Sequence, residues 1–253
     1  MSPTPEQTRE AVLARAVEAG ERHHSEEPDL ASYLTRYYKH VPDEDLRQRD
    51  PVDLAGAALS QLHGAQQREP GKAKIRVLTP TVDDYGWQTG HTVVEIVTDD
   101  MPFLVDSVTS ELSRQKRGIH VVVHPTFVVR RSITGELLEL LDTSPSSVAT
   151  GTRDPNWPSD AIVESWMHLE IDRESDPNHI EGIVRSLRKV LEDVRSAVED
   201  WPKMQRRAGE IAEDLRAHPP AELEEEAAEA GRLLDWLAQD NFTFVGYREY
   251  DLV

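Results

Sequence analysis

Cysteine is absent from the 253 residues. Neither a disulfide framework nor a thiolate metal site is therefore available, and the expected address is the cytoplasm. Basic residues are scarce: 28 Lys and Arg stand against 47 Asp and Glu, a net charge of −19. That balance removes nucleic acid as a partner, because phosphates need a basic footprint. It also removes anionic membrane surfaces; the acidity itself speaks to solubility. No apolar run approaches the ~20 residues that span a bilayer. The opening M-S-P-T-P-E-Q-T-R-E lacks a basic start followed by an apolar stretch, so no secretory signal is expected. Also missing are a G-x-G-x-x-G after a strand, a G-x-x-x-x-G-K-[ST] loop and a G-x-S-x-G elbow, so no cofactor cradle or catalytic residue is expected in this segment.

What is present is a chain long enough for one or two domains with a real core. Residues 5–40 carry two helical stripes, Val12, Leu13, Ala16 and Val17, then Leu30, Tyr33, Leu34 and Tyr37. Gly20 and the polar run to Asp29 separate them, and Pro42 stops the second. A third helix starts at Asp50-Pro51 and runs to about Gln67, with Leu54, Ala58, Leu59 and Leu62 as its stripe. After Pro70-Gly71 the pattern changes to strands. Lys74–Thr79 alternates, a turn-rich link leads to a strand at 91–98, and a helix follows at 102–115, ended by Gly118. A β-branched strand spans 119–131, and T-G-E at 134–136 turns it into a short strand at 137–141. Residues 142–160 read as a long loop. A strand at 165–172 and a helix capped by Asn178, running from His179 to about Trp201, complete the region. Beyond Pro202 the expectation is a linker with helices at 203–216 and 222–239. The alternation of N-F-T-F-V-G-Y-R-E-Y-D-L then predicts the first strand of a following unit, and hence a chain cut from something longer. The expected domains are a helical region at 1–70, a sandwich at 71–201, a helical linker at 202–240 and the opening strand at 241–253.

The fold class is α+β. The order strand, helix, strand, strand, helix supplies five of the six elements of a ferredoxin-like sandwich. Its missing closing strand is expected from the front: Lys74–Thr79 should lie antiparallel beside 91–98, with both helices on one sheet face and 137–141 extending the far edge.

The turn Asp99-Asp100-Met101-Pro102 joins the first strand to the first helix. Asp99 or Asp100 is expected to accept from the helix's first N–H groups, with Pro102 at an early helical position. Phe103, Leu104, Val108 and Leu112 form the expected core stripe, and Asp106 faces solvent. The same turn, with Phe103 and Ser107, is the candidate effector niche, built from backbone groups. His120 and His124 lie about 13 Å apart along one strand, too far to share a metal, and His23-His24 has no spaced partner. Trp166 and Trp236 are expected as packing anchors.

These motifs resemble a known family. T-V-V-E-I-V-T-D-D-M-P-F-L-V-D-S-V-T-S-E-L, then G-I-H-V-V-V-H-P-T-F-V-V-R-R, is similar to the N-terminal region of the large bacterial NAD-specific glutamate dehydrogenases, at an ACT-like regulatory module. Y-Y-K-H-V-P-D-E-D-L, R-D-P-V-D-L-A and L-L-D-W-L-A-Q-D-N-F-T-F-V-G-Y-R-E-Y fit the same family in order. The resemblance implies a long polypeptide that oxidises L-glutamate to 2-oxoglutarate with NAD, its catalytic core downstream. It implies a non-catalytic regulatory and assembly segment here, or alternatively an amino-acid sensor, within a homo-oligomer. Many amino-acid-binding ACT modules carry glycine directly after the turn proline. Here that position is Phe103, whose bulk favours packing or assembly.

Overall fold

The structure, a computed structural model, describes residues 8–22, 29–143 and 157–250. The His23-His24 pair and most of the 142–160 loop lie outside them. The chain divides into two compact units, Met1–Leu191 and Glu192–Val253.

The first unit is built on a six-stranded antiparallel sheet: Lys74–Leu78 (β1), Thr92–Asp99 (β2), Ile119–Val123 (β3), Thr126–Arg131 (β4), Leu137–Leu141 (β5) and Ala161–Ile171 (β6). The spatial order is β1-β2-β6-β4-β5, with β3 also on β6. The leading strand lies where expected: β1 pairs antiparallel with β2, Val77 opposite Val94. β2 then pairs with β6 over its whole length, Thr92 opposite Ile171 to Asp99 opposite Glu164. The strand expected at 119–131 is two strands. His124-Pro125 interrupts it, because proline has no N–H to donate to the ladder. Pro125 still accepts from Trp166 N at 3.0 Å, so β3 and β4 share β6 as partner. That shared partner starts at Ala161, earlier than residue 165, since β4 needs something to pair with.

Both sheet faces are buried, not one. Helices Arg9–Glu21 (α1), Leu30–Tyr37 (α2), Asp43–Arg47 (α3) and Pro51–Ala65 (α4) pack their apolar stripes against Val97, Phe127, Val129 and Trp166. Each helix forms for local reasons. Thr8, Asp29 and Asp50 cap α1, α2 and α4 by accepting from backbone N–H groups, and Pro51 opens α4. Tyr33 and Tyr38 donate to Ala58 O and Leu54 O, both at 2.8 Å, and so fasten α2 to α4. Tyr33, Phe127 and Trp166 form a continuous aromatic contact, with Phe127 and Trp166 centroids 4.8 Å apart at 61°. Such pairs add about 0.5–1.5 kcal/mol each beyond area burial. After the single turn Val82–Tyr85 (α5) the loop passes α4 so closely that a Cβ on Gly56 would lie 2.4 Å from Trp87.

On the other face Ile96, Met167, Leu169 and Ile171 are fully buried. The covering helices are Leu104–Arg114 (α6) and the first part of Pro177–Ala217 (α7), whose Leu104, Val108, Leu112, Ile183 and Leu187 are buried in turn. The cap of α7 falls earlier than Asn178: Asp176 Oδ1 accepts from Asn178 N at 2.9 Å.

In the second unit α7 continues through Pro202 to Ala217, so the expected break at that proline does not occur. Glu224–Trp236 (α8) follows and opens on Glu224, Glu225 and Glu226, acidic residues suited to a helix N-terminus. Trp236 is 52% exposed, not an anchor. The expected strand after Asn241 is extended at Phe242 (φ −146°, ψ 142°) but has no strand partner among the described residues. Arg207 holds it by donating to Tyr247 Oη at 3.2 Å and Glu249 Oε1 at 2.5 Å.

Candidate functional site

The β2–α6 corner gathers the residues singled out in the sequence, in roles partly different from those expected. Asp99 is the last residue of β2, and its Oδ1 accepts from Arg68 Nη2 at 2.6 Å. Asp100 N donates to Val163 O at 2.9 Å and fastens the corner to β6. Desolvation by the surrounding protein pushes the Asp100 carboxyl above its ordinary value. Pro102 lies outside the helix. α6 starts at Leu104, and its N-cap is Phe103, which makes no side-chain cap bond.

Phe103 adopts φ +71°, the left-handed region that favours glycine. A backbone that normally wants glycine there carries a ring that is 37% exposed, not in the core stripe. Met101 and Ser107 are half-buried, Asp106 faces solvent as expected, and Ser107 N donates to Phe103 O at 3.0 Å to close the first turn. The corner thus brings Asp99, Asp100, Met101, Pro102, Phe103 and Ser107 into one short arc.

Behind the corner lies a buried charge network that sequence reasoning missed. Glu164, fully buried, receives Arg131 through two bonds, Nε to Oε1 at 2.6 Å and Nη2 to Oε2 at 2.8 Å. Arg68, also buried, donates to the same Oε1 at 2.8 Å and on to Asp99. Trp166 Nε1 adds a bond to Glu164 Oε2 at 3.0 Å. Two guanidiniums therefore meet two carboxylates, and Arg68 ties the segment after α4 to the end of β2. Gly135 (φ +91°) allows this approach: a Cβ there would lie 1.8 Å from Arg68 O. Strand alternation offers the one sequence signal. Glu164, Trp166, His168 and Glu170 share a parity, and so a face.

At the opposite end of β2 a second polar set forms. Fully buried Glu170 accepts from Arg49 Nη1 at 2.5 Å, His91 Nδ1 at 2.9 Å and Thr89 Oγ1 at 3.0 Å. Burial opposes its charge, but His168, Arg49 and His91 together hold the Glu170 carboxyl far below the usual carboxylate range. The His91 ring stacks on His120, centroids 4.1 Å apart and planes 13° from parallel. His120 Nε2 donates in turn to Asp172 Oδ1 at 2.8 Å, and Gly118 N to Asp172 Oδ2 at 2.7 Å. These rings border a pocket of about 370 Å³ whose other wall is the α3–α4 corner. His124 instead meets Ser165, so the histidines of β3 and its end do not converge.

A family model described as "Glutamate dehydrogenase, ACT1 domain" matches residues 33–187. The chain belongs to that family. The match takes in the latter part of α2, α3 and α4, the whole sheet, the β2–α6 corner and the start of α7. The chain is similar to the NAD-specific glutamate dehydrogenase of Halomonas elongata, 37% identical over 88% of this chain and 13% of the relative. It is similar to that of Pseudomonas aeruginosa, 32% identical over 89% of the chain and 13% of the relative. The Mycobacterium tuberculosis enzyme is 30% identical over 61% of the chain and 9% of its own length. The chain thus spans about an eighth of the length of the first two.

Proposed function

We propose that this chain is the N-terminal regulatory and assembly segment of an NAD-dependent glutamate dehydrogenase, and that oxidation of L-glutamate to 2-oxoglutarate and ammonia takes place elsewhere in the parent polypeptide. NAD belongs to that distant part, and the partners are the parent's other domains and further copies of it in the cytoplasm. The observation that carries this reading is the pairing of an ACT1 match over 33–187 with coverage of only 13% of two dehydrogenases. The geometry supports it. The strong charges of the sheet face, Glu95, Glu164 and Glu170, are each engaged by arginine, which suits holding layers together. Within this reading the sheet is a ferredoxin-like sandwich with β1 in the trailing strand's place. The test is to delete residues 1–253 from the parent enzyme. Loss of native mass or of effector response, with residual turnover, is expected; unchanged mass and unchanged regulation would overturn the proposal.

A second reading, an amino-acid sensor at the Asp99–Phe103 corner, draws on the left-handed backbone at Phe103, because outliers of this kind cluster at ligand sites. Calorimetric titration of the chain with the common amino acids tests it. Silence across the panel would remove it.

A further inference from the structure

Beneath α4 two buried side chains meet across the sheet, and each has one polar atom with no hydrogen-bond partner among the described residues. Glu95 on β2 stands directly opposite His168 on β6, and the two are 2% and 1% exposed. Glu95 Oε1 accepts from Ser60 Oγ at 2.8 Å, while Oε2 receives no hydrogen bond. Arg76 Nη1 stands 3.2 Å from Oε2, but its hydrogen bond goes to Ser60 O at 2.9 Å. His168 Nε2 faces Glu170 Oε1 at 3.6 Å, and Nδ1 has no partner. Residues directly opposite in an antiparallel pair have Cβ atoms about 4.5–5.5 Å apart, so the two orphaned atoms share one small volume. Buried polar atoms without partners are rare because they are costly, and two in one place call for a common partner.

The surroundings narrow what that partner is. Gln61, fully buried, donates from Nε2 to Met167 O at 3.0 Å and to Ile96 O at 3.3 Å, which clamps α4 over both strands. The Trp87 ring, 2% exposed, packs beside the His168 ring with centroids 6.4 Å apart. So closed a place excludes an organic ligand. The Arg76 guanidinium opposes a metal ion, and among the described residues no group of three or more His, Asp or Glu is arranged to hold one. An anion would meet the Glu95 carboxylate. Water both donates and accepts. It satisfies Glu95 Oε2 with one hydrogen and meets His168 Nδ1 whether that nitrogen carries a proton or a lone pair. We propose that one ordered water molecule is bound between Glu95 and His168 and completes the seam of β2, β6 and α4. The site uses none of the residues of the Asp99–Phe103 corner, so it stands or falls apart from the regulatory reading.

A crystal structure of the 253-residue chain that shows ordered solvent tests it, with magnetic relaxation dispersion of water as the measurement in solution. The expected result is a solvent peak within hydrogen-bond distance of both Glu95 Oε2 and His168 Nδ1. In His168→Phe that peak should vanish, and the dispersion should lose about one long-lived water; phenylalanine keeps a flat ring beside Trp87 and removes both nitrogens. Glu95→Gln keeps the shape and a polar side-chain end, and should retain the water. This variant and the wild-type peak decide the matter even if His168→Phe does not fold. Ordered Glu95 and His168 side chains with no peak between them, a direct bond from one to the other, loss of the water in Glu95→Gln, or an unchanged dispersion in folded His168→Phe would each overturn the site.

Discussion

Arg68 and Glu164 are 96 residues apart in sequence, and their side chains meet at 2.8 Å in the interior. The contact joins the segment after α4 to the central strand β6, and through Asp99 it reaches the end of β2. Segment after α4, sheet and corner therefore meet around a shared carboxylate.

Glu164→Ala should cost about 3–5 kcal/mol, because it removes the buried carboxylate that two guanidiniums share. Urea unfolding followed by tryptophan fluorescence measures it. A loss below about 1 kcal/mol would mean that water replaces the carboxylate without penalty.

Gly56→Ala should destabilise by about 1–3 kcal/mol through overpacking against Trp87. The same change in a Trp87→Leu background should cost less, since the obstructing ring is gone. Equal costs in the two backgrounds would place the effect elsewhere.

Phe103→Gly should leave stability unchanged or raise it by up to about 1 kcal/mol, because glycine adopts φ +71° without strain. Phe103→Val should lower it by a comparable amount. Thermal denaturation of the pair decides; a clear loss with glycine would show that packing of the ring outweighs the backbone.

Hydrogen bonds from Arg114, and then from Gln115, hold the Glu111 carboxyl down at about 2, below its ordinary 4.5, against the opposing effect of burial. The folded value is the lower one, so the stabilisation is complete above 4.5 and fades as pH falls from there toward 2. Glu111→Gln should flatten that part of the acid limb. An identical pH profile in wild type and variant would contradict it.

Much of this fold was legible because apolar period and burial agree. Leu54, Ala58, Leu59 and Leu62 repeat at helical spacing and are all buried, and β1 lies beside β2 because a turn-rich link with no second crossing element favours an antiparallel pair. The split at Pro125 was visible as a proline but not as a break, since the ladder it interrupts depends on where β6 begins. At the corner the helix start was misplaced: Pro102 fits an early helical position locally, and only tertiary packing puts Phe103 in the left-handed region. The charge network and the stacked His91–His120 pair were illegible for a different reason. Their members are 29 to 96 residues apart, and no local period encodes which buried carboxylate meets which arginine.

The central claim is that these residues serve a dehydrogenase without performing its chemistry. Incubating the purified 253-residue chain with L-glutamate and NAD, and following NADH absorbance, tests this most directly. The account predicts no NADH above the protein-free blank. Sustained, glutamate-dependent NADH formation by this chain alone would contradict it.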